Sequence, residues 1–193
     1  GITYTAEDVC GQQVPNIALV QVIDATEPEI TCPENITIEC DQDPVPSLTG
    51  EPMASDNCDA APTVSFVDEL GGTTCEQTIT RTWTAQDSES NQAQCEQTIT
   101  LVDQTPPSIT CPPAISVECD EDPLPNLTGE ATAMDNCTNP DEIELAYEDD
   151  GSGLTGCNET GDLIRTWTAT DLCDNSVACE QTITVTDETN PEI

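Results

Sequence analysis

The sequence contains no lysine and no histidine, and its only cationic side chains are Arg81 and Arg165. It carries 39 acidic residues, so its formal net charge is −37. A surface this poor in cationic groups cannot bind the phosphates of nucleic acid or an anionic membrane surface, and both are excluded as partners. The charge requires counterions instead. These are either monovalent ions around a soluble, self-repelling surface or bound divalent ions such as calcium.

Other features are scarce or missing as well. Aromatic side chains make up 3% of the chain, so each folded segment buries a modest core. Apolar runs long enough to span a bilayer are absent, and we expect no membrane insertion in this segment. Without a nucleophile beside a base, or a phosphate-binding loop, we predict that the chain is not an enzyme and takes no organic cofactor.

Cysteine is abundant, with 12 residues at repeating spacings. Zinc binding would require Cys-x-x-Cys pairs or histidines, and the sequence has neither. A disulfide framework in an oxidising compartment is the remaining interpretation. It predicts an extracellular, cell-surface location.

The chain repeats itself. Residues 103–112 restate the pattern of residues 24–33, and the same opening starts again at Asp187. We therefore divide the chain into complete repeats at 24–102 and 103–186, with 187–193 as the start of a further repeat. Residues 1–23 are the end of a preceding one, because Tyr4–Cys10 matches a segment inside the second repeat. We interpret the chain as a window onto a longer tandem array.

Each repeat is rich in strand signals. Residues 78–85 alternate strictly, with threonines on one face and an apolar or arginine residue on the other. We expect a first strand over residues 30–40, and turn residues such as Gly71-Gly72 separate the later strands. Short strands at this spacing favour an all-β fold of disulfide-stabilised antiparallel β-sandwiches, stacked end to end along the chain.

Several motifs resemble a known family. Both repeats contain Asp-Asn-Cys, Trp-Thr-Ala-x-Asp and Cys-Glu-Gln-Thr-Ile-Thr, after an opening that reads Thr-x-Pro-x-Ile-Thr-Cys-Pro. These motifs resemble the immunoglobulin-like modules of the hyalin-repeat (HYR) family. The Arg-Thr-Trp-Thr-Ala segment is similar to HYR-like repeats of giant Bacteroidota surface proteins, including gliding-motility adhesins. The resemblance implies tandem immunoglobulin-like sandwiches in an extracellular, adhesive filament or stalk.

The strand order predicts which cysteines pair. Cysteines at the same end of a sandwich come within bonding distance. We therefore predict disulfides between residues that share an end, namely Cys32–Cys95, Cys40–Cys75, Cys111–Cys179, Cys119–Cys157 and Cys137–Cys173. Glu89 stands where the first repeat would have its sixth cysteine. Cys58 is then either a free thiol or an inter-chain link. Cys10 occupies the position of Cys173, so its partner is expected before residue 1.

In the predicted stack, carboxylates from separate segments of each repeat gather at the end of the sandwich where the preceding linker enters. The candidate metal ligands are Asp24, Glu27, Asp56, Asp87, Asp103, Asp135 and Asp171. Calcium prefers several oxygen ligands, so these residues predict calcium sites that stiffen the junctions. The alternative is that they only form turns.

The two arginines hold equivalent positions, each two residues before a tryptophan on the same strand face: Arg81 before Trp83 and Arg165 before Trp167. We predict a structural role, in which the guanidinium stacks on the indole and pairs with a carboxylate.

The leading functional hypothesis is a structural and adhesive segment of a secreted, cell-surface filament. Its partners would be neighbouring repeats, self-assembled copies, or surface glycans and proteins. The alternatives are a module that itself recognises a glycan or protein, or a spacer in a larger secreted enzyme. An exposed aromatic patch in one copy would favour recognition, and Tyr147 is the candidate for it.

Overall fold

The structure is a computed structural model, and it describes residues 2–18, 21–156 and 159–190. The elements fall into a hairpin followed by two series in the same order. The hairpin consists of β1 (Ile2–Glu7) and β2 (Gln13–Ala18). The first series consists of β3 (Glu29–Thr31), β4 (Ile36–Glu39), α1 (Pro46–Thr49), β5 (Met53–Ser55), β6 (Thr63–Gly72), β7 (Glu76–Gln86) and β8 (Gln92–Val102). The second consists of β9 (Ser108–Thr110), β10 (Ile115–Glu118), α2 (Pro125–Thr128), β11 (Thr132–Met134), a 3-10 turn (Pro140–Glu142), β12 (Glu144–Leu154), β13 (Gly161–Thr170) and β14 (Ser176–Thr186).

Each series forms one large and one small sheet. The large sheets have the orders β4-β8-β7-β6 and β10-β14-β13-β12, and the small ones pair β3 with β5 and β9 with β11. The predicted all-β sandwich is confirmed. One strand in each large sheet departs from the antiparallel prediction, because β4 runs parallel to β8 and β10 runs parallel to β14.

The predicted strand over residues 30–40 was wrong, because the structure divides it. β3 belongs to the small sheet and β4 to the large one, and Cys32-Pro33 lies in the break between them. Proline has no N–H to donate to a strand ladder, so the chain leaves one sheet there and joins the other. The same division occurs at Cys111-Pro112.

The alternating pattern of the long strands determines the core. Along β13, the side chains of Leu163, Arg165, Trp167 and Ala169 are all buried. Ile183 and Val185 of β14 pack beside Leu163. The equivalent residues of β7 are buried as well, so the inward face predicted from residues 78–85 is confirmed.

By internal contacts, the chain divides into two compact units. The first comprises Gly1–Glu34, Gly50–Asp68 and Arg81–Gln97, and the second comprises Asn35–Thr49, Glu69–Thr80 and Thr98–Ile193. The second unit contains β9 to β14 together with β4 and the residues that follow it. These units cut across repeat 24–102, so the domain boundaries at 23/24, 102/103 and 186/187 stay a prediction; residues 191–193 lie outside the described part.

Candidate functional site

The turn between β13 and β14 is built around one carboxylate. The Oδ1 atom of Asp171 accepts hydrogen bonds from the backbone N–H groups of Cys173 and Asn175, at 2.8 and 2.9 Å. The Asn175 amide donates to Asp171 Oδ2 at 2.8 Å and to the carbonyl of Asp103 at 3.1 Å. Asn175 therefore holds the start of residues 103–107 against this turn.

Two further carboxylates approach the same place. Asp135 Oδ1 accepts from the N–H groups of Cys137 and Thr138, both at 2.8 Å, and Asp103 Oδ1 accepts from Thr105 at 3.3 Å. The second oxygen of each, Oδ2, is buried and has no hydrogen-bond partner among the described residues. Asp103 is only 8% exposed. An oxygen desolvated in this way costs free energy unless a proton or a cation reaches it.

The charges of this group act on one another. The pKa of Asp103 is raised above its ordinary value, first by burial and then by the negative charge of Asp135, with smaller contributions from Asp171 and Glu39. Oxygen atoms of Asp103 and Asp171 lie within 4.8 Å of the sulfur of Cys173 and of one another. We call Asp103, Asp135 and Asp171 the second carboxylate cluster.

The first unit contains the equivalent set, the first carboxylate cluster, in which one oxygen each of Asp24, Asp56 and Asp87 lies within 4.8 Å of the others. Backbone N–H groups of Cys58 and Asp59 donate to Asp56 Oδ1 and lower the pKa of Asp56, while its Oδ2 is buried without a described partner.

The potential metal-binding groups found in the described residues contain five of the seven predicted ligands: Asp24, Asp56 and Asp87 in one unit, and Asp103 and Asp171 in the other. Glu27 and Asp135 belong to none of these groups. Glu27 lines a groove beside Asp56, whereas Asp135 is close enough for its charge to raise the pKa of Asp103.

Four disulfides connect the described residues. Cys32 is bonded to Cys95 and Cys111 to Cys179, the same two pairs that the strand order predicts. The other two are Cys40–Cys137 and Cys75–Cys173, with Cα atoms 6.0 and 5.3 Å apart. Each of these joins a cysteine of repeat 24–102 to one of repeat 103–186.

Two predicted pairs require correction, and a third is not tested. Cys40 does not pair with Cys75, and Cys137 does not pair with Cys173, because all four take part in the bonds between repeats. The prediction assumed that all disulfides form within a repeat, whereas the loops that contain Cys40 and Cys75 lie against residues of the following repeat. The predicted Cys119–Cys157 bond cannot be placed, since Cys157 lies outside the described residues. Among the described cysteines, Cys10, Cys58 and Cys119 take part in no disulfide.

Arg81 and Arg165 are the largest of the fully buried side chains in the described residues, at 2% and 1% exposure. Arg165 donates from Nε and Nη2 to the two oxygens of Asp149, at 2.7 and 2.8 Å, and the bond raises the pKa of the guanidinium. It also donates to Thr128 Oγ1 and to the Pro123 carbonyl. Arg81 forms the same fork with Asp68.

Arg81 contacts the predicted tryptophan, but the aromatic ring closest to each arginine is a different one. The guanidinium carbon of Arg165 lies 4.4 Å from the ring centre of Tyr147, and that of Arg81 lies 4.3 Å from Phe66 but 5.6 Å from Trp83. The neighbouring strand therefore supplies the closest ring, which in turn packs against the tryptophan at a tilted angle. Tyr147 has the same role as Phe66 and is not an aromatic patch peculiar to one copy.

The sequence reasoning missed residues that orient the clusters. Asn91 and Asn175 each connect the central aspartate to the linker carbonyl. Glu39 was also missed: its oxygen lies near Asp103, Cys40 and Cys137. The available signal was the Asp-x-x-x-Asn spacing, which occurs at 87–91 and again at 171–175.

Comparison with known proteins gives the following likenesses. Residues 28–101 match the family described as an HYR-like domain with 4 cysteines. Hyalin of Strongylocentrotus purpuratus is 31% identical over 144 residues, which is 69% of this chain and 12% of hyalin. The chain thus spans only a small part of that relative.

Among solved structures, Drosophila N-cadherin EC1-4 aligns over 84% of this chain and 50% of its own, with a TM-score of 0.40 and 15% identity. Human mucin-like protocadherin EC1-2 aligns over 84% of this chain and 100% of its own, with a TM-score of 0.37 and 10% identity. No helix in the described part of the chain has the length and apolar composition that a membrane crossing requires. The family match on 28–101 and the similarity to hyalin together support HYR-like modules in this chain.

Proposed function

We propose that this chain is a structural, adhesion-type segment of an extracellular protein, in which covalent bonds fix one repeat to the next. The observation that carries this is the pair of disulfides Cys40–Cys137 and Cys75–Cys173. A single bond between two repeats leaves a swivel, whereas two bonds at separate loops remove it. Such a joint favours a rod or filament over a chain of independently moving binding modules.

The relatives agree with this reading. The similarity of this chain to hyalin supports the proposal. Four disulfides are also expected of a protein that matures outside the cell. The finer hypothesis of an adhesive filament, and its likeness to Bacteroidota gliding-motility adhesins, stays a proposal from the sequence. Tyr147 gives no support to direct recognition of a ligand, because it packs on Arg165 and Trp167.

We further propose that calcium occupies the two carboxylate clusters. In the second cluster, the unpartnered Oδ2 atoms of Asp103 and Asp135 are the oxygens that need a cation. Backbone N–H groups already hold the other oxygen of each, so the free atoms are oriented before any ion arrives. Calcium accepts several carboxylate and carbonyl oxygens in flexible geometry, which suits side chains drawn from separate loops.

The covalent joint is tested by mapping disulfides under non-reducing conditions and by small-angle scattering. We expect 40–137 and 75–173 peptides in the native protein. A variant with all four of these cysteines changed to serine should show a broader distribution of interatomic distances, because the joint is then free to bend. A Cys10→Ser variant serves as the control and should scatter as the native chain does. Finding 40–75 and 137–173 peptides instead would reject the proposal.

The calcium proposal predicts that one substitution has opposite effects on thermal stability without and with calcium. In Asp135→Asn, the amide replaces the unpartnered oxygen and can donate to Asp103, so the calcium-free variant should melt at or above the native temperature. Calcium at one hundred times its dissociation constant should raise the native melting temperature by about 5–10 °C and the variant's by much less. The exposed Asp141→Asn is the matched control.

If the aspartates only form turns, calcium will leave the melting temperature of native protein unchanged at constant ionic strength. In that case the buried oxygens must share protons. Isothermal titration calorimetry would then give no heat beyond that of magnesium or sodium.

A further inference from the structure

The two disulfides between repeats converge on Asp103. An oxygen of Asp103 lies within 4.8 Å of the sulfurs of Cys40 and Cys137 and of an oxygen of Glu39. In a second group, an Asp103 oxygen lies equally close to the sulfur of Cys173. All of these residues belong to the second unit. The bonds and the carboxylates are therefore parts of one structure.

Both bonds also hold loops that carry a carboxylate of the second carboxylate cluster. The N–H of Cys137 donates to Asp135 Oδ1 at 2.8 Å. The N–H of Cys173 donates to Asp171 Oδ1 at the same distance, 2.8 Å. Each aspartate lies two residues before a bonded cysteine, so breaking the disulfide releases the loop and its carboxylate together.

Glu39 is held by the first of these bonds in a similar way. It directly precedes Cys40, and its Oε2 atom accepts a hydrogen bond from the N–H of Gln104 at 3.2 Å. Gln104 is the residue that follows Asp103. The Cys40–Cys137 bond therefore also keeps a carboxylate of repeat 24–102 beside the cluster.

The cluster contains buried oxygens that require a cation. Asp103 is only 8% exposed, and the Oδ2 atoms of Asp103 and Asp135 have no hydrogen-bond partner among the described residues. The negative charges of Asp135, Asp171 and Glu39 raise the pKa of Asp103. These like charges repel one another. Without a cation, the disulfides hold the loops together against that repulsion.

We propose that calcium binding at the second carboxylate cluster is coupled to the two disulfides between repeats, so that each stabilises the other. The intact bonds hold the carboxylates in position and raise the affinity for calcium. Calcium in turn makes the same bonds harder to reduce. The inference rests on the proposed function, since it concerns the proposed calcium and the bonds that form the joint.

The coupling follows from thermodynamic linkage. Ligands that are already in position lose less conformational entropy on binding, so the oxidised chain binds calcium more tightly than the reduced chain does. A coupling free energy is reciprocal, and calcium must therefore favour the oxidised chain by the same factor. The thiols that reduction releases do not compensate, because calcium prefers oxygen ligands.

Reduction is an exchange with a small dithiol such as dithiothreitol. One thiolate of the reagent attacks a protein sulfur, forms a mixed disulfide and displaces the other protein sulfur as a thiolate. The second thiolate of the reagent closes a ring and displaces the remaining protein sulfur. Two electrons and two protons pass to the protein for each bond, and the reagent leaves as a cyclic disulfide. All four cysteines are partly exposed, so a reagent of this size reaches them.

The test equilibrates the full chain with mixtures of reduced and oxidised dithiothreitol, either with saturating calcium or with a chelator at the same ionic strength. Free thiols are then alkylated, and peptide mapping gives the remaining fraction of each bond. We expect calcium to raise the ratio of reduced to oxidised reagent at half-reduction by about tenfold or more for the 40–137 and 75–173 bonds.

The Cys111–Cys179 bond is the internal control. Its cysteines are also partly exposed, but they belong to none of the potential metal-binding groups found in the described residues. Its half-reduction ratio should change by less than about twofold, since it is not coupled to the cluster.

A substitution at Asp103 tests the same coupling. Asp103→Asn keeps the shape of the side chain but removes the charge on which both bonds converge. We expect both bonds to form in this variant, and calcium should no longer change their half-reduction ratios. The exposed Asp141→Asn is the matched control and should retain the full shift of the native chain.

Two results would overturn the inference: half-reduction ratios that calcium does not change, or an equal shift of the 111–179 bond, which would mean that calcium only stabilises the whole fold. If calcium raises the melting temperature but leaves the ratios unchanged, only this inference fails and the proposed function stands. If calcium changes neither, the calcium proposal fails with it, while the covalent joint stands. If the native maps lack the 40–137 and 75–173 bonds, the proposed joint fails as well.

Discussion

The buried arginines show how single residues stabilise a sandwich with few aromatic side chains. Arg165 replaces hydrophobic bulk with four hydrogen bonds and a stacked ring, which satisfies a charge that is otherwise costly to bury. Its partner Asp149 is 31% exposed, so water screens the ion pair itself. The planar fork of donors therefore contributes more than the opposite charge.

Replacing that fork should be costly. We expect Arg165→Lys to lower the free energy of unfolding by roughly 2–4 kcal/mol, because lysine cannot satisfy four acceptors on three sides. Asp149→Asn should cost less, since one acceptor oxygen stays and water reaches the site. Urea unfolding measures both. Exposed Glu180→Gln is the control and should stay within about 0.5 kcal/mol of the native value. An Arg165→Lys protein as stable as this control would refute the structural role.

The thiol of Cys119 provides a second prediction for a single residue. Burial raises the pKa of this thiol above its ordinary value, and the negative charges of Asp187, Asp120 and Glu118 raise it further. Less thiolate is then present at neutral pH, and the thiolate is the form that reacts. Alkylation of Cys119 by iodoacetamide should be slower than that of N-acetylcysteine at pH 7.5. The two rates should converge as the pH rises above the raised pKa.

Added salt distinguishes the two causes of the raised pKa of Cys119, burial and the nearby carboxylates. Screening weakens the repulsion by the three carboxylates but leaves burial unchanged, so 0.5 M NaCl should restore only part of the alkylation rate. A rate at pH 7.5 equal to that of the free thiol would contradict the raised pKa.

Among the elements, the short helix α2 ends at a glycine that the fold requires. Gly129 has φ 95° and ψ 157°, a conformation that other residues rarely adopt. A Cβ atom there would lie 3.1 Å from Cβ of Pro112, the proline at the break between β9 and β10. The helix end and the strand break are thus packed on each other.

Gly129→Ala should lower the free energy of unfolding by about 1–3 kcal/mol, through backbone strain and the contact with Pro112. Gly151→Ala is the matched control in the same sandwich. Its Cβ would meet Leu154 at an ordinary 3.4 Å, and its φ is not in the positive region. Denaturant unfolding compares the two. Equal loss of stability in both would show that the conformation of Gly129 carries no special cost.

Elements were predictable from the sequence where the signal was local. Alternation alone identified the buried face of β7 and β13. The turn predicted at Gly71-Gly72 was wrong, because both glycines lie inside β6. The break at Pro33 was readable in principle, since proline cannot continue a ladder, but a continuous apolar pattern on both sides concealed it. The parallel pairing of β4 with β8 depends on contacts between residues about 63 positions apart, such as Ile36 with Ile99.

The two disulfides between repeats were less predictable, because they also depend on contacts between residues far apart in the sequence. The pairs Cys32–Cys95 and Cys111–Cys179 follow from strands that lie side by side within one repeat. The pairs Cys40–Cys137 and Cys75–Cys173 depend on which loops of successive repeats meet. Cys40, Cys75 and Cys137 each have an equivalent in the other repeat, so spacing alone does not distinguish a bond within a repeat from one to the next copy.

At the scale of the whole molecule, charge opposes compactness. A net charge of −37 on 193 residues implies self-repulsion that monovalent salt should relieve. With a chelator present, we expect the melting temperature to rise steadily between 0.02 and 0.5 M NaCl. Choline chloride should act equally, because screening does not depend on the identity of the cation. Calcium at matched ionic strength should add a further rise. A sodium effect that choline does not reproduce would instead indicate a specific sodium site.

The two bonds between repeats interlock in sequence, because Cys75 lies inside the 97-residue loop closed by Cys40 and Cys137, while its partner Cys173 lies outside. A segment of 97 residues has a contour length of roughly 330 Å when it is fully extended. With both disulfides intact, most of this length cannot be added to the end-to-end distance, even when every strand is unfolded. Under tension the chain would therefore behave as a short tether with a fixed limit, and a reducing environment would release it.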